Sequence, residues 1–354
     1  MSATDVRLDA VQGVHFVGGV PLDGVEDVFR TAAGVLGPHL RRIPDGEVGM
    51  RRFWVGCQLP ALAFHPAFEL VEPGPDRFPG MPTVGLRASV DPAEVAFGSL
   101  GYASAAALSY EVFARLQSEG VIPEHCRFQV SLPGPLEVVA GFVQSKDQLA
   151  VEGRYAEAMW AEIDHILAAI PPGRLALQWD TCLQVGMVDG WWAGPFDPPM
   201  EHVIERLARQ GGRVPAEVEL GYHLCYGDYQ HRHFVEPPDL STCVAMANAI
   251  AASVGRTVDW IHMPVPIERD DDDYFAPLGG LALQAGTELY LGLVHYRDGA
   301  EGARRRIGTA RKHAETFGVA TECGMGRRPA ARGGAANTLE QLLAVHAEVS
   351  APVV

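Results

Sequence analysis

Val218-Glu219-Leu220-Gly221-Tyr222-His223-Leu224-Cys225-Tyr226-Gly227-Asp228 reads as a strand that ends in two metal-binding side-chain types. Its apolar start predicts an extended, core-facing segment. Side chains alternate along a strand with a period of two, so His223 and Cys225 fall on one face at its C-terminal end. An imidazole and a thiol spaced this way can bind one zinc from a single strand end. A buried histidine beside a buried thiol is the plainer reading of the same pair.

Outward from this run, short β-favouring stretches recur at Val14–Val17, Phe128–Leu132, Leu175–Trp179, Val258–His262, Glu288–Val294 and Val319–Glu322. Ala-rich amphipathic stretches lie between them, at Gly24–Leu36, Ser104–Glu119, Gln148–Ile170, Met200–Gln210, Leu240–Val254, Ala300–Thr316 and Thr338–Val349. Strand then helix, repeated about eight times, is the pattern of a parallel sheet with crossover helices. A chain of 354 residues suits a single-domain α/β fold, the (β/α)8 TIM barrel, with its core over roughly residues 12–345. The Pro-, Phe- and Gly-rich stretch Leu59–Gly101 is expected to form long loops over the C-terminal face. Residues 325–337 are expected to be a flexible segment before the last helix. A doubly wound open sheet is the alternative. No GxGxxG follows the first strand and no GxxxxGK[ST] occurs, which weighs against dinucleotide and P-loop binding.

Lys+Arg number 28 against 44 Asp+Glu, a formal charge of -16. Such a surface repels phosphate backbones, so no nucleic-acid partner is expected. No apolar run approaches the ~18–20 residues of a membrane span. Met1–Ala10 lacks the basic and apolar regions of a signal peptide, so a cytoplasmic location is expected. The cysteines are scattered, unlike those of a secreted disulfide scaffold. Cys57, Cys126, Cys182 and Cys243 read most simply as core residues.

Two further segments carry metal-binding side chains: Thr321-Glu322-Cys323-Gly324-Met325 and Trp260-Ile261-His262-Met263-Pro264. Strand ends converge at one face of a barrel, so His223, Cys225, Cys323 and His262 are the expected ligand set. Three protein ligands with an open fourth position is the arrangement of a catalytic zinc. Two thiolates make zinc electron-rich, suited to holding a substrate thiol as its thiolate. The run Asp270–Asp273 lacks the EF-hand spacing and reads as a solvated loop. Trp191, Trp192 and Tyr226 offer either flat faces for an aromatic donor or the packing of a lid.

At these residues the chain resembles the C-terminal catalytic barrel of cobalamin-independent methionine synthase, within the zinc thiol alkyltransferases. His223–Asp228, HLCYGD, is similar to that family's HMCYS-type zinc motif, and Ala320–Arg328, ATECGMGRR, to its PDCGL-K-TR motif. The segments His15–Pro21, Asp45–Arg51, Pro133–Pro135, Gln178–Asp180 and Leu293–His295 resemble further family segments. The resemblance implies a (β/α)8 barrel and zinc, with a folate-type methyl donor and a homocysteine-like thiol as substrates. It implies that Glu47 and Asp180 hold the substrate ammonium, and that His295 protonates the leaving group. It places Gly19 where the family has a serine at the substrate carboxylate, His262 where it has a glutamate ligand, and Gly141 at its folate-stacking tryptophan. Thr181-Cys182 replaces its Glu-Pro.

The expected function is transfer of a methyl or alkyl group to a zinc-bound thiol, with no membrane partner. Two alternatives stand beside it: a zinc-free barrel of the uroporphyrinogen decarboxylase type acting on a carboxylated substrate, and a non-catalytic thiol- or metal-binding barrel.

Overall fold

In the computed structural model, which describes residues 11–72, 78, 80–229, 232–325 and 338–353, ten strands form. They are β1 Val11–Val14, β2 Arg42–Pro44, β3 Phe68–Val71, β4 Thr83–Leu86, β5 Arg127–Pro133, β6 Leu175–Thr181, β7 Glu219–Leu224, β8 Trp260–Pro264, β9 Glu288–Gly292 and β10 Phe317–Val319. Eight pair in parallel in the order β1-β10-β9-β8-β7-β6-β5-β2. The two edges meet at a parallel bridge between Val14 and Leu40. Every residue of β6 and β8 is buried, as a parallel sheet covered by crossover helices requires. The architecture is the TIM-barrel-like α/β fold expected from the alternating pattern.

Contacts across the interior show the curl. Arg42 of β2 reaches Glu219 of β7 and, at 2.8 Å, Glu288 of β9, strands that lie far from β2 in the sheet order. The His15 ring, just after β1, pairs with Gln178 Oε1 of β6 at 2.7 Å. Gln178, Gly221 and Trp260 share one register level on β6, β7 and β8. Trp260 Nε1 donates to Gln178 Oε1 at 3.2 Å, so the indole spans β7 directly over Gly221. A Cβ at Gly221 would collide with that ring, which explains glycine in the middle of a central strand. One level up, towards the C-terminal ends, Asp180, His223 and His262 stand in line.

The stretch Leu59–Gly101 departs from the loop expectation. It holds a short helix, Leu59–Ala63, and the antiparallel hairpin β3–β4, tied to the barrel by Gln144 N donating to Val84 O at 2.9 Å. The aspartate run is ion-paired: Asp270 to Arg305, Asp271 to Arg269, and Asp272 to Lys312 and His313. Asp271 also caps the helix Asp272–Phe275. Among the described residues, no helix is long and apolar enough to cross a membrane.

The last helix, Leu339–Val349, buries His346, whose Nδ1 donates to Leu342 O at 2.8 Å. Burial lowers this histidine from 6.5 to about 4. The unfolded chain therefore binds the proton first, and stability present above pH 6.5 is lost as pH falls towards 4. At ~1.4 kcal/mol per unit, the full loss from this residue is about 3 kcal/mol. His346→Leu is expected to flatten the acid limb of a urea-midpoint titration by that share. An unchanged limb would show that His346 is not the group responsible.

Candidate metal centre

The pairing of β6 and β7 continues past the strand end, with Cys225 N donating to Thr181 O at 2.9 Å. This fixes Cys225 two positions beyond His223 on the inward face. Gly227 N then donates to Cys225 Sγ at 3.2 Å. Cys323 arrives from the loop after β10, which is fastened to the loop after β1. Met325 N donates to Gly19 O at 2.7 Å, and a Cβ at Gly324 would stand 3.0 Å from Gly19 N. Two glycines let these backbones touch.

His223, Cys225 and Cys323 are all buried, and their donor atoms lie within 4.8 Å of one another. The two sulfurs are 3.7 Å apart. Two sulfurs bound tetrahedrally to zinc at ~2.3 Å stand about 3.8 Å apart, so the pair already has the spacing of a tetrahedral edge. The group could hold a metal ion. The Cys182 contact, opposed by Cys323 and aided by burial, holds the Cys225 thiol well above the usual cysteine value. A bound divalent cation reverses that preference by taking the thiolate.

The structure does not bring His262 into this group, where a fourth ligand was expected. Both its ring nitrogens are engaged: Nδ1 with His223 Nδ1 at 2.7 Å and Nε2 with the Thr321 carbonyl at 3.1 Å. Burial pushes His262 down to about 3, so it is neutral. A carbonyl only accepts, so Nε2 carries the proton and Nδ1 is the acceptor. His223 Nδ1 must then donate, which places the basic lone pair of a neutral His223 on Nε2, a nitrogen suited to a metal. His262 thus sets the tautomer of His223. His262→Leu is expected to weaken metal binding roughly 10–100-fold, read by competition with a chromogenic chelator. Wild-type affinity in that variant would remove the role.

The centre opens into a cavity of ≈ 400 Å³, whose walls include Gly18, Gly19, Glu47 and Asp180. Glu47 is held in the left-handed region (φ 50) by its own N–H donating to Asp45 Oδ1 at 2.9 Å. Arg51 pairs with Asp45 in two-pronged fashion, at 3.0 and 2.7 Å, and Ser109 donates to the same carboxylate. A Cβ at Gly18 would lie 3.1 Å from the Glu47 carboxyl carbon, so the glycine in the loop after β1 makes room for that side chain. Asp180 accepts from Gln178 Nε2 at 2.8 Å. Trp54 (φ 52) also lines the cavity, and among the described residues it and Glu47 are the non-glycine residues at positive φ. Such strain concentrates at functional sites.

His295, expected as a proton donor, is not among the residues lining the cavity. Its Nε2 donates to Val265 O at 2.9 Å, and its Nδ1 faces Glu322 at 3.7 Å. Trp191 and Trp192 pack against Phe234, at 5.7 and 6.4 Å between ring centres, and neither is among the residues lining the cavity. Gly141 is covered by Phe78, whose ring would meet a Cβ there at 2.7 Å. His231 and the segment 326–337, including Arg328, lie outside the described residues.

Three residues were missed by sequence reasoning. Cys182 lines the cavity and contacts Cys225, because the register Thr181↔Leu224 puts the next residues side by side. Asp228 lines the same cavity. Glu137, fully buried, accepts the N–H groups of Cys182, Leu183 and Gln184 and so anchors the turn that follows Asp180. Burial raises it to about 7 against the pull of those three donors.

No model of a known protein family matches the chain, and no curated protein matches it. Solved structures do. A B12-independent methionine synthase from Shewanella sp. W3-18-1, in complex with selenomethionine, superposes with a TM-score of 0.57 at 15% identity. The match covers 96% of this chain and 97% of that one. A methyltransferase from Methanosarcina mazei superposes with a TM-score of 0.52 at 14% identity, covering 96% of this chain and 93% of that one. At this identity the likeness establishes a shared barrel fold.

Proposed function

We propose that the chain is a zinc-dependent methyltransferase whose acceptor is a thiol bound beside His223, Cys225 and Cys323. The observation that carries this reading is the pair of buried sulfurs 3.7 Å apart, grouped with an imidazole at the floor of a cavity. Zinc held by that set would keep an acceptor thiol as its thiolate at neutral pH. The rest is positioning by the chain. Glu47 and Asp180 supply carboxylates for the ammonium of an amino-acid thiol such as homocysteine. Gly19 offers backbone where a serine would otherwise stand. Fixing acceptor and donor together converts an encounter of two molecules into one bound geometry. The names of the two structural neighbours, a methionine synthase and a methyltransferase, support the same chemistry.

The charge of the cavity disfavours the zinc-free, carboxylated-substrate reading. Among the described residues lining it, Arg52 is the sole cation, and Leu22 O and Asp23 already hold its guanidinium at 2.8 and 3.2 Å. Methyl iodide, which needs no binding site, tests the thiol reading directly. The protein is expected to accelerate methylation of homocysteine by methyl iodide, to lose this after chelation, and to regain it with zinc. Acceleration that survives complete metal removal would contradict the proposal, and metal uptake without acceleration would favour the non-catalytic barrel.

A further inference from the structure

We infer that the methyl donor is a methylsulfonium cation, received by the aromatic half of the cavity. This rests on the thiol reading of the metal centre and names its second substrate.

Three independent features point to it. The first is the place of His295, the expected general acid, which is not among the described residues that line the cavity. A donor that leaves as a nitrogen anion needs a general acid at its leaving atom. His295 Nε2 donates to Val265 O at 2.9 Å and its Nδ1 faces Glu322 at 3.7 Å. A sulfonium departs as a neutral thioether and needs no acid. The second is the lining itself. Phe53, Trp54, Phe78, Phe142, Tyr229 and Phe234 all face the cavity. Phe78 centres the group, 5.6 Å from Phe142 and 5.7 Å from Phe234 between ring centres. Ring faces attract onium cations through their quadrupoles. The third is charge. Beyond the two carboxylates set against the acceptor's ammonium, Asp228 adds a third, and among the described lining residues the one cation, Arg52, is already held by Leu22 and Asp23. A donor with an anionic tail meets repulsion here, whereas a cation is attracted.

The step balances without a co-reactant. The acceptor thiolate attacks the methyl carbon and a new carbon–sulfur bond forms. The bond from that carbon to the sulfonium sulfur breaks, and its electron pair stays on the departing thioether. No proton moves and nothing is oxidised.

The test uses the zinc-loaded protein with homocysteine and deuterated trimethylsulfonium, with methionine followed by mass spectrometry. Deuterated methionine is expected, with tetramethylammonium inhibiting competitively against the sulfonium. Phe234→Ala and Phe53→Ala are each expected to raise the KM for trimethylsulfonium roughly tenfold. Phe53 is 57% exposed at the rim, so its truncation leaves the fold intact. In parallel, the cobalt-substituted protein reports thiol binding through its sulfur-to-metal absorption. Absorption that responds to homocysteine, with no transfer from trimethylsulfonium and no inhibition by tetramethylammonium, overturns the donor assignment alone. Transfer from methyltetrahydrofolate but not from the sulfonium does the same. Absorption that homocysteine leaves unchanged overturns the thiol reading and this inference with it.

Discussion

Cys225→Ser and Cys323→Ser are each expected to come from purification with less than about a tenth of the wild-type metal and with no acceleration of thiol methylation. Serine keeps the size and nearly the shape of cysteine, so two buried positions at the barrel mouth stay filled. What changes is the donor. A hydroxyl does not ionise near neutral pH and is a poor ligand for a soft site, while the remaining sulfur and imidazole form only two-thirds of the set. Outer partners of metal ligands already cost 10–100-fold in affinity when removed, so loss of a ligand itself costs more. Cys126→Ser is the control. Its sulfur is buried against Leu40 O at 3.2 Å, away from the cavity, and burial raises its thiol to about 12. Elemental analysis should find its metal content unchanged. Wild-type zinc in both site variants would show that the sulfurs are ordinary core thiols.

The second large effect is on stability, at the opposite end of the barrel. Arg42→Ala is expected to cost about 3–5 kcal/mol. The guanidinium is only 4% exposed and joins Glu219 and Glu288, while its carbon lies 4.2 Å over the Trp260 ring. Truncation leaves two partly buried carboxylates facing each other without their shared cation, and strips a face from the indole. It also releases the short strand β2, three residues long, from the strands across the interior. Chemical denaturation monitored by tryptophan fluorescence checks this, and a loss below about 1 kcal/mol would place the network among weak surface pairs.

Strand-end placement was legible because it follows from period-two alternation over an apolar run. Alternation puts Gly221, His223 and Cys225 on one face of the run, and pairing with β6 and β8 adds the shared register of Asp180, His223 and His262. The strand β2 was illegible because Arg42-Ile43-Pro44 offers a single apolar β-former between a cation and a proline. Only the barrel interior supplies the acidic partners that let Arg42 be buried. The hairpin β3–β4 hid in a Pro- and Phe-rich stretch because its pairing joins residues across an intervening loop. The standing of His262 depended on the Thr321 carbonyl, 59 residues further along, which no local pattern reveals. Cys182 needed the exact neighbour of Cys225, a matter of register rather than composition. His295 was expected at the site because Leu293–His295 resembles a family segment. The chain turns its ring to Val265 and Glu322 instead.

The most direct measurement is zinc-edge X-ray absorption of the wild-type protein, without and with homocysteine. Two sulfurs and one imidazole from the chain are expected, rising to three sulfurs when homocysteine binds. A metal shell lacking sulfur, or one that homocysteine leaves unchanged, would contradict a thiol-binding centre at His223, Cys225 and Cys323.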